Sequence, residues 1–206
     1  MCAIAFTGAN RFEQWPGSRV ISAQKANTVS AFNLPGGTRG VVDALSTANL
    51  WTATQPGGSL FGLQFSNPVN INASYGSNTP TNPFTTAVPG GDNYGMVVDP
   101  LVGQFVGGVN VFGGGLAAYI VGGWKAGGIG VSGDTSCADH NISWRVRNTL
   151  GLDNLTSGAV GGLGAAGHED NINYDLDSSV KSASRFGHPA CGFGEDAIAS
   201  TLPATR

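Results

Sequence analysis

Charge is scarce in this chain. Of its 206 residues only 11% are Asp, Glu, Lys or Arg, against about a quarter in an ordinary soluble domain. Such a surface is covered by Ser, Thr, Asn and Gly, or is partly hidden against neighbouring subunits. The 10 Lys and Arg residues are scattered and the formal net charge is −3. That argues against nucleic acid, whose phosphates need a basic cluster. Long apolar runs are missing too. None approaches the roughly 18 residues of a membrane span, and glycine interrupts the longest. Cysteine is limited to Cys2, Cys137 and Cys191, in no CxxC arrangement, which argues against a zinc site or a thioether-linked cofactor. Either Cys137 and Cys191 form one disulfide or the thiols are buried and free; both readings stand at this level. The 3 histidines include no i, i+4 pair of the kind that holds a metal on a helix.

Glycine is what the chain has in quantity, 33 residues. Gly128, Gly130 and Gly133 form a G-x-G-x-x-G ahead of a helix start, the pattern of a dinucleotide cradle. That reading needs a parallel βαβ unit with an acidic residue roughly 20 positions on. Asp153 stands at about that distance, but the helix runs to about Leu150 and leaves no room for a return strand. The run before the glycines is explained as one arm of a hairpin, Leu116 to Ile120 and Trp124 to Val131, turning through Gly122-Gly123. The glycines then serve a bulge and a strand-to-helix turn. This alternative requires an antiparallel corner with a cleft beside it wide enough for a flat ligand; parallel strands there, or no such cleft, overturn it.

Along the chain, Cys2 to Thr7 reads as a strand and Asn10 to Gly17 as a loop. Ser18 caps a helix from about Arg19 to Phe32, whose Val20, Ala23, Ala26 and Ser30 make a small-residue face. After Pro35-Gly36-Gly37 a second helix is expected from Val41 to Thr52. From Gln55 to about Gly108 the chain is irregular, too long for a plain loop and therefore functional or interface-forming. Phe61, Phe65, Tyr75, Phe84, Tyr94 and Phe105 are its expected anchors, with short strands near Phe61–Phe65 and Met96–Val98. Ser136 and Asp139 stand as a helix-start box, and Ala138, Ile142, Val146 and Leu150 align as the buried stripe of that helix. A short helix near Glu195 to Thr201 closes the chain. Length favours one domain, residues 1–206.

Catalytic constellations are weak. Gly130-Val131-Ser132-Gly133-Asp134 lacks the second glycine of a nucleophile elbow. Asp170 and Asp175 read as turn-capping carboxylates rather than a cation site. His140 and His188 are each able to serve as an axial haem ligand, since imidazole suits iron and one histidine suffices; His168 lies in a Gly-Ala loop.

Three segments together, SRVISAQKANTVSAF from Ser18, GGVNVFGGGLAAYI from Gly107 and GGIGVSGDTSCADHNISWRVR from Gly127, resemble the GlcG/HbpS-like haem-binding family. DNINYD from Asp170 and FGHPACG from Phe186 resemble its long-loop, often exported branch. The resemblance implies an α/β fold of the profilin-like sort, a three-layer sandwich with an antiparallel sheet of about five strands, helices on its faces and long irregular loops. It also implies non-covalent haem binding in a homo-oligomer, a role in iron handling or sensing with a sensor or transporter partner, and an extracytoplasmic location. A ligand-free self-assembling protein and a haem-degrading enzyme are the alternatives. Relatives place a helix and a strand ahead of the segment matching Cys2–Thr7, so the chain is expected to be a truncated piece or to receive that strand from another chain; no signal peptide is read at its start. On this reading His140 is the first choice for the haem iron and His188 the second. Trp144 stacks on the macrocycle, and Arg145 or Lys25 pairs with propionates.

Overall fold

The computed structural model describes residues 2–7 (through the backbone), 17–32, 45–76, 94–155 and 166–206. Its elements are β1 (Cys2–Thr7), α1 (Ser18–Ala31), α2 (Trp51–Thr54, entered through a 3-10 turn at Ala48–Leu50), α3 (Ile71–Tyr75), β2 (Gly115–Ile120), β3 (Trp124–Ser132), α4 (Ser136–Thr149) and α5 (Glu195–Ala199). The chain is therefore mixed α/β. Among the described residues no helix is long and apolar enough to cross a membrane.

The described sheet has three strands in the order β1-β3-β2. β2 and β3 form the expected antiparallel hairpin, Leu116 facing Ile129 and Ile120 facing Trp124. Its connection has three residues rather than two, because Gly123 N–H closes a turn onto the Ile120 carbonyl at 3.0 Å. Gly122 and Gly123 both hold positive φ there, 89° and 77°, a conformation that favours glycine. β1 departs from the antiparallel expectation. It pairs with β3 in parallel, Ile4 beside Ile129 and Thr7 beside Ser132, because β2 runs against β1 and the hairpin then turns the chain back into the direction of β1; the wholly antiparallel corner required above is not what the sheet presents.

The dinucleotide reading nevertheless gains nothing. After α4 the chain makes a parallel bridge from Asp153 to Tyr119 of β2, so it runs antiparallel to β3 and supplies no returning βαβ strand. The Asp153 carboxylate is consumed by Asn148 at 2.6 Å and by Arg206. Gly128 and Gly130 face α1 instead of a ligand. A Cβ at Gly130 would overlap the Ser22 carbonyl, and one at Gly128 would overlap that of Ala26. These two glycines let the helix backbone lie directly on the strand, which is also why α1 buries Ser22, Lys25, Ala26 and Val29.

Alternate residues of the hairpin face opposite ways. Ala117 and Tyr119 pack with Val29 of α1, while Leu116 packs with Trp144 of α4. Helices thus cover both faces, which brings α1 and α4 together at the end of β3. The Cys137–Cys191 disulfide, 54 residues apart in sequence, fastens the start of α4 to the C-terminal loops. Asp170 and Asp175 do hold structure: Asp170 pairs with Arg147, and Asp175 accepts from Ser182 Oγ and from Ser184 N–H at 2.7 Å.

Several expected elements differ. The helix expected over Val41 to Thr52 is not continuous: residues 45–47 are non-helical. Asn49 Oδ1 there accepts from both N–H and Oγ of Ser46, while Thr47 donates its N–H to the Gly115 carbonyl of β2 and accepts from Gly115 N–H at its Oγ1, local bonding that competes with a helix. The start of that segment, Pro35-Gly36-Gly37, Phe84 and most of the Asn10–Gly17 loop lie outside the described residues. Phe61–Phe65 is a turn running into a 3-10 helix at Leu63–Phe65, and Met96–Val98 is a turn; neither is a strand. Phe61, Phe65 and Phe105 are exposed rather than anchoring; Tyr75 and Tyr94 meet edge to face, and Arg19 lies over Tyr94.

The largest reversal is in α4. Its expected apolar stripe is not the buried face: Ile142 and Leu150 are 45% and 52% exposed, and Ala138 and Val146 are only half-buried. The side it buries carries Asp139, His140, Ser143, Trp144 and Arg147.

Gly130→Ala is expected to lower stability by about 1–3 kcal/mol, the range for overpacking a close contact, read as a lower urea midpoint. A cradle role would leave the midpoint unchanged.

Candidate functional site

The C-terminal ends of parallel strands are where open α/β sheets leave a crevice, and here two helix starts converge on one. α4 is capped by Thr135, one residue earlier than expected, whose Oγ accepts from Ala138 N–H at 3.1 Å. Asp139 is left in the first turn with its carboxylate turned inward. It accepts from Asp134 N–H at 3.1 Å and from Lys25 Nζ at 2.9 Å. Lys25 reaches past the end of the sheet from α1 and also donates to the Val131 carbonyl at 2.8 Å. Both side chains are almost wholly buried, 2% and 3% exposed. Gly114 crosses close to the pair: a Cβ there would stand 2.8 Å from Nζ. Burial pushes the Lys25 ammonium below its ordinary range and the Asp139 carboxyl above its own, and each partner opposes the other's shift.

Beside this pair lies a cleft of about 400 Å³, with Ile21 and Phe112 as apolar walls, Ser18, Asn110, Ser132 and Ser136 as polar ones, and Lys25 and Asp139 at its floor. The volume falls within the roughly 300–1,000 Å³ of small-molecule sites, which are likewise mostly apolar with a few convergent polar groups. Phe112, 48% exposed, stands at its mouth.

Of the five residues singled out from the sequence, Lys25 alone lines this cleft. His188 is buried with both ring nitrogens engaged: Nδ1 lies 2.8 Å from the Pro189 carbonyl and Nε2 accepts from Gly113 N–H at 3.4 Å. That network assigns the proton to Nδ1, and burial brings the imidazole down to about 4. His140 is fully buried, and neither ring nitrogen has a hydrogen-bond partner of normal geometry. Gly113 passes over its Cβ. Burial, reinforced by Arg147, His188 and Lys25, holds it well below 6.5. Trp144 is packed as core, its ring stacked on His168 at 5.6 Å and its Nε1 donating to the Pro203 carbonyl at 2.8 Å. Arg145 is exposed, away from the cleft lining.

These residues do not fit a haem site as placed. One histidine is fully hydrogen-bonded, the other is sealed beneath a backbone segment, the indole faces are covered and the buried lysine already has an anion. Among the described residues no group of three or more His, Cys, Asp or Glu is placed to hold a metal ion. Ile21, Asn110 and Phe112 went unnoticed in the sequence, and Ser18 was read only as a helix cap. The one signal was a lysine amid the small residues of α1, a side chain whose charge needs a buried counter-ion once that face docks on a sheet.

The histidines set an acid limit. As pH falls below 6.5 the unfolded chain takes up a proton at His188, while the folded chain resists until about 4. Stability is therefore full above pH 6.5 and declines below it, by about 1.4 kcal/mol per pH unit for such a group. Urea midpoints between pH 7 and 4.5 are expected to fall steeply for the parent and less steeply for His188→Gln. Comparison with known protein families, curated proteins and solved structures found no match for this chain.

Proposed function

We propose that this chain binds a small molecule in the corner cleft, with non-covalently held haem, the ligand class its resemblance implies, as the first to test. The observation that carries the reading is the convergence of the β3 end, both helix starts and a buried ion pair on one mostly apolar cavity. A tetrapyrrole entering it would meet Ile21 and Phe112 as apolar contacts, without an axial nitrogen from His140 or His188. The profilin-like sandwich of five strands belongs to the same proposal, supported by three described strands with helices on both faces. The disulfide supports an oxidising, extracytoplasmic setting, in which a sensor or transporter partner would receive the ligand.

A second reading, self-assembly without ligand, has its own support. Ile142 and Leu150 leave an apolar ridge on the outer face of α4, and Phe65, Val97 and Phe105 are more than three-quarters exposed. Contiguous exposed apolar surface marks interaction sites.

Haemin titration is expected to give a shifted Soret band that Ile21→Arg weakens about tenfold or more, some 1.4 kcal/mol, and that His188→Gln leaves alone. No shift in the parent removes tetrapyrroles from consideration. Light scattering is expected to report a particle larger than one chain, reduced to a monomer by Ile142→Lys with Leu150→Lys. Assembly that survives this pair of changes excludes the α4 ridge as the contact.

A further inference from the structure

The floor of the cleft is an unusual place for a lysine. Lys25 Nζ has two partners, the Val131 carbonyl and Asp139 Oδ2, and it borders the cavity. A simple anion gains little there, because the Asp139 carboxylate is within reach of the ammonium and Asp134 also lines the cavity. A neutral carbonyl compound suffers no such repulsion. Its carbon suits an amine nucleophile, and Ser18, Ser132, Ser136 and Asn110 offer hydrogen bonds for its other groups. We propose that Lys25 is a nucleophilic amine that condenses with a small aldehyde or ketone in the corner cleft to form an imine, with Asp139 carrying the protons. The inference rests on the cleft being the ligand site, and it specifies carbonyl chemistry at its floor.

The step closes on these two side chains. Asp139 takes a proton from the Lys25 ammonium, and the freed nitrogen lone pair attacks the carbonyl carbon as the C=O pair moves to oxygen. Asp139 gives its proton to that oxygen, removes one from the nitrogen, and returns it to the hydroxyl as water leaves. Ammonium and carbonyl become a protonated imine and water, with no oxidant or reductant consumed. The product cation faces the same carboxylate as the ammonium did. Burial disfavours the charged form of both partners, which favours transfer of the proton within the pair and is how desolvated lysines become nucleophilic.

The chain's other lysines are built-in comparators. Lys125 donates to the Val29 and Phe32 carbonyls at the end of α1 and is held at about 8 by burial; Lys181 is exposed. Neither lines the cleft. The full chain is incubated at pH 7 with propanal or with acetone, cyanoborohydride reduces any imine to a stable amine, and peptide mass mapping locates it. Expected is labelling of Lys25 at least about tenfold above Lys181, the least that positioning in a binding cleft supplies, and also above Lys125. No Lys25 adduct, or labelling that follows Lys125 as the readier amine, overturns the proposal. The same probes without reductant, followed by amide NMR, separate the two failures. Shifts at Ser18 and Ser132 with no adduct leave the cleft as a binding site and remove the imine; no shifts and no adduct remove both for this ligand class.

Discussion

The Lys25–Asp139 ion pair holds the site together. It is the point at which α1 and α4, on opposite faces of the sheet, touch each other's chemistry around the end of β3. Two opposite charges taken out of water roughly break even while paired, yet removing one partner costs about 3–5 kcal/mol because the other is left buried and alone. The pair therefore fixes geometry more than it adds stability. It sets how far α1 slides along the strand, where the first turn of α4 begins, and that Gly113-Gly114 must cross close above. A side chain at Gly114 would collide with it.

The same logic extends through α4. Its inner face carries a second buried ion pair, Arg147 to Asp170, with Nη2 and Oδ1 2.7 Å apart, and Arg147 also donates to the Ala117 carbonyl. Trp144 lies beneath the guanidinium at 4.8 Å. The helix is thus held to the sheet by charge-assisted bonds and one indole, and its aliphatic residues are left outside. Buried polar groups of this kind specify one packing arrangement when satisfied. Several here, such as Ser143 Oγ and Arg147 Nε, have no protein partner.

What was legible in the sequence follows from this division. The hairpin, α1, α4 and α5 were readable because alternation, glycine turns and helix-start residues act locally. The face of α4 was not, since periodicity places Ile142 and Leu150 inside by default and a polar face is buried only if distant partners exist. Asp170 lies 23 residues from Arg147, and Lys25 lies 114 from Asp139. The parallel pairing of β1 was hidden for the same reason: it depends on a strand more than a hundred residues away. The G-x-G-x-x-G run was readable as a structural device, but its true neighbour, the backbone of α1, was not. The histidines misled because composition says which side chains are scarce, not which are already bonded. The hairpin-to-helix turn was legible, but the parallel strand beside it was not, and of the ion pair Lys25 was singled out while Asp139 was read only as a helix-start residue.

The Cys137–Cys191 bond has one further bearing. It encloses the outer turns of α4, the Asp153 bridge and the Asp170 partner of Arg147 within a covalent ring. A backbone cut anywhere between the two half-cystines would leave the ends tethered, so the severed halves would stay one molecule under oxidising conditions. What a nick does to the molecule is therefore set by the redox state of its surroundings as well as by its packing.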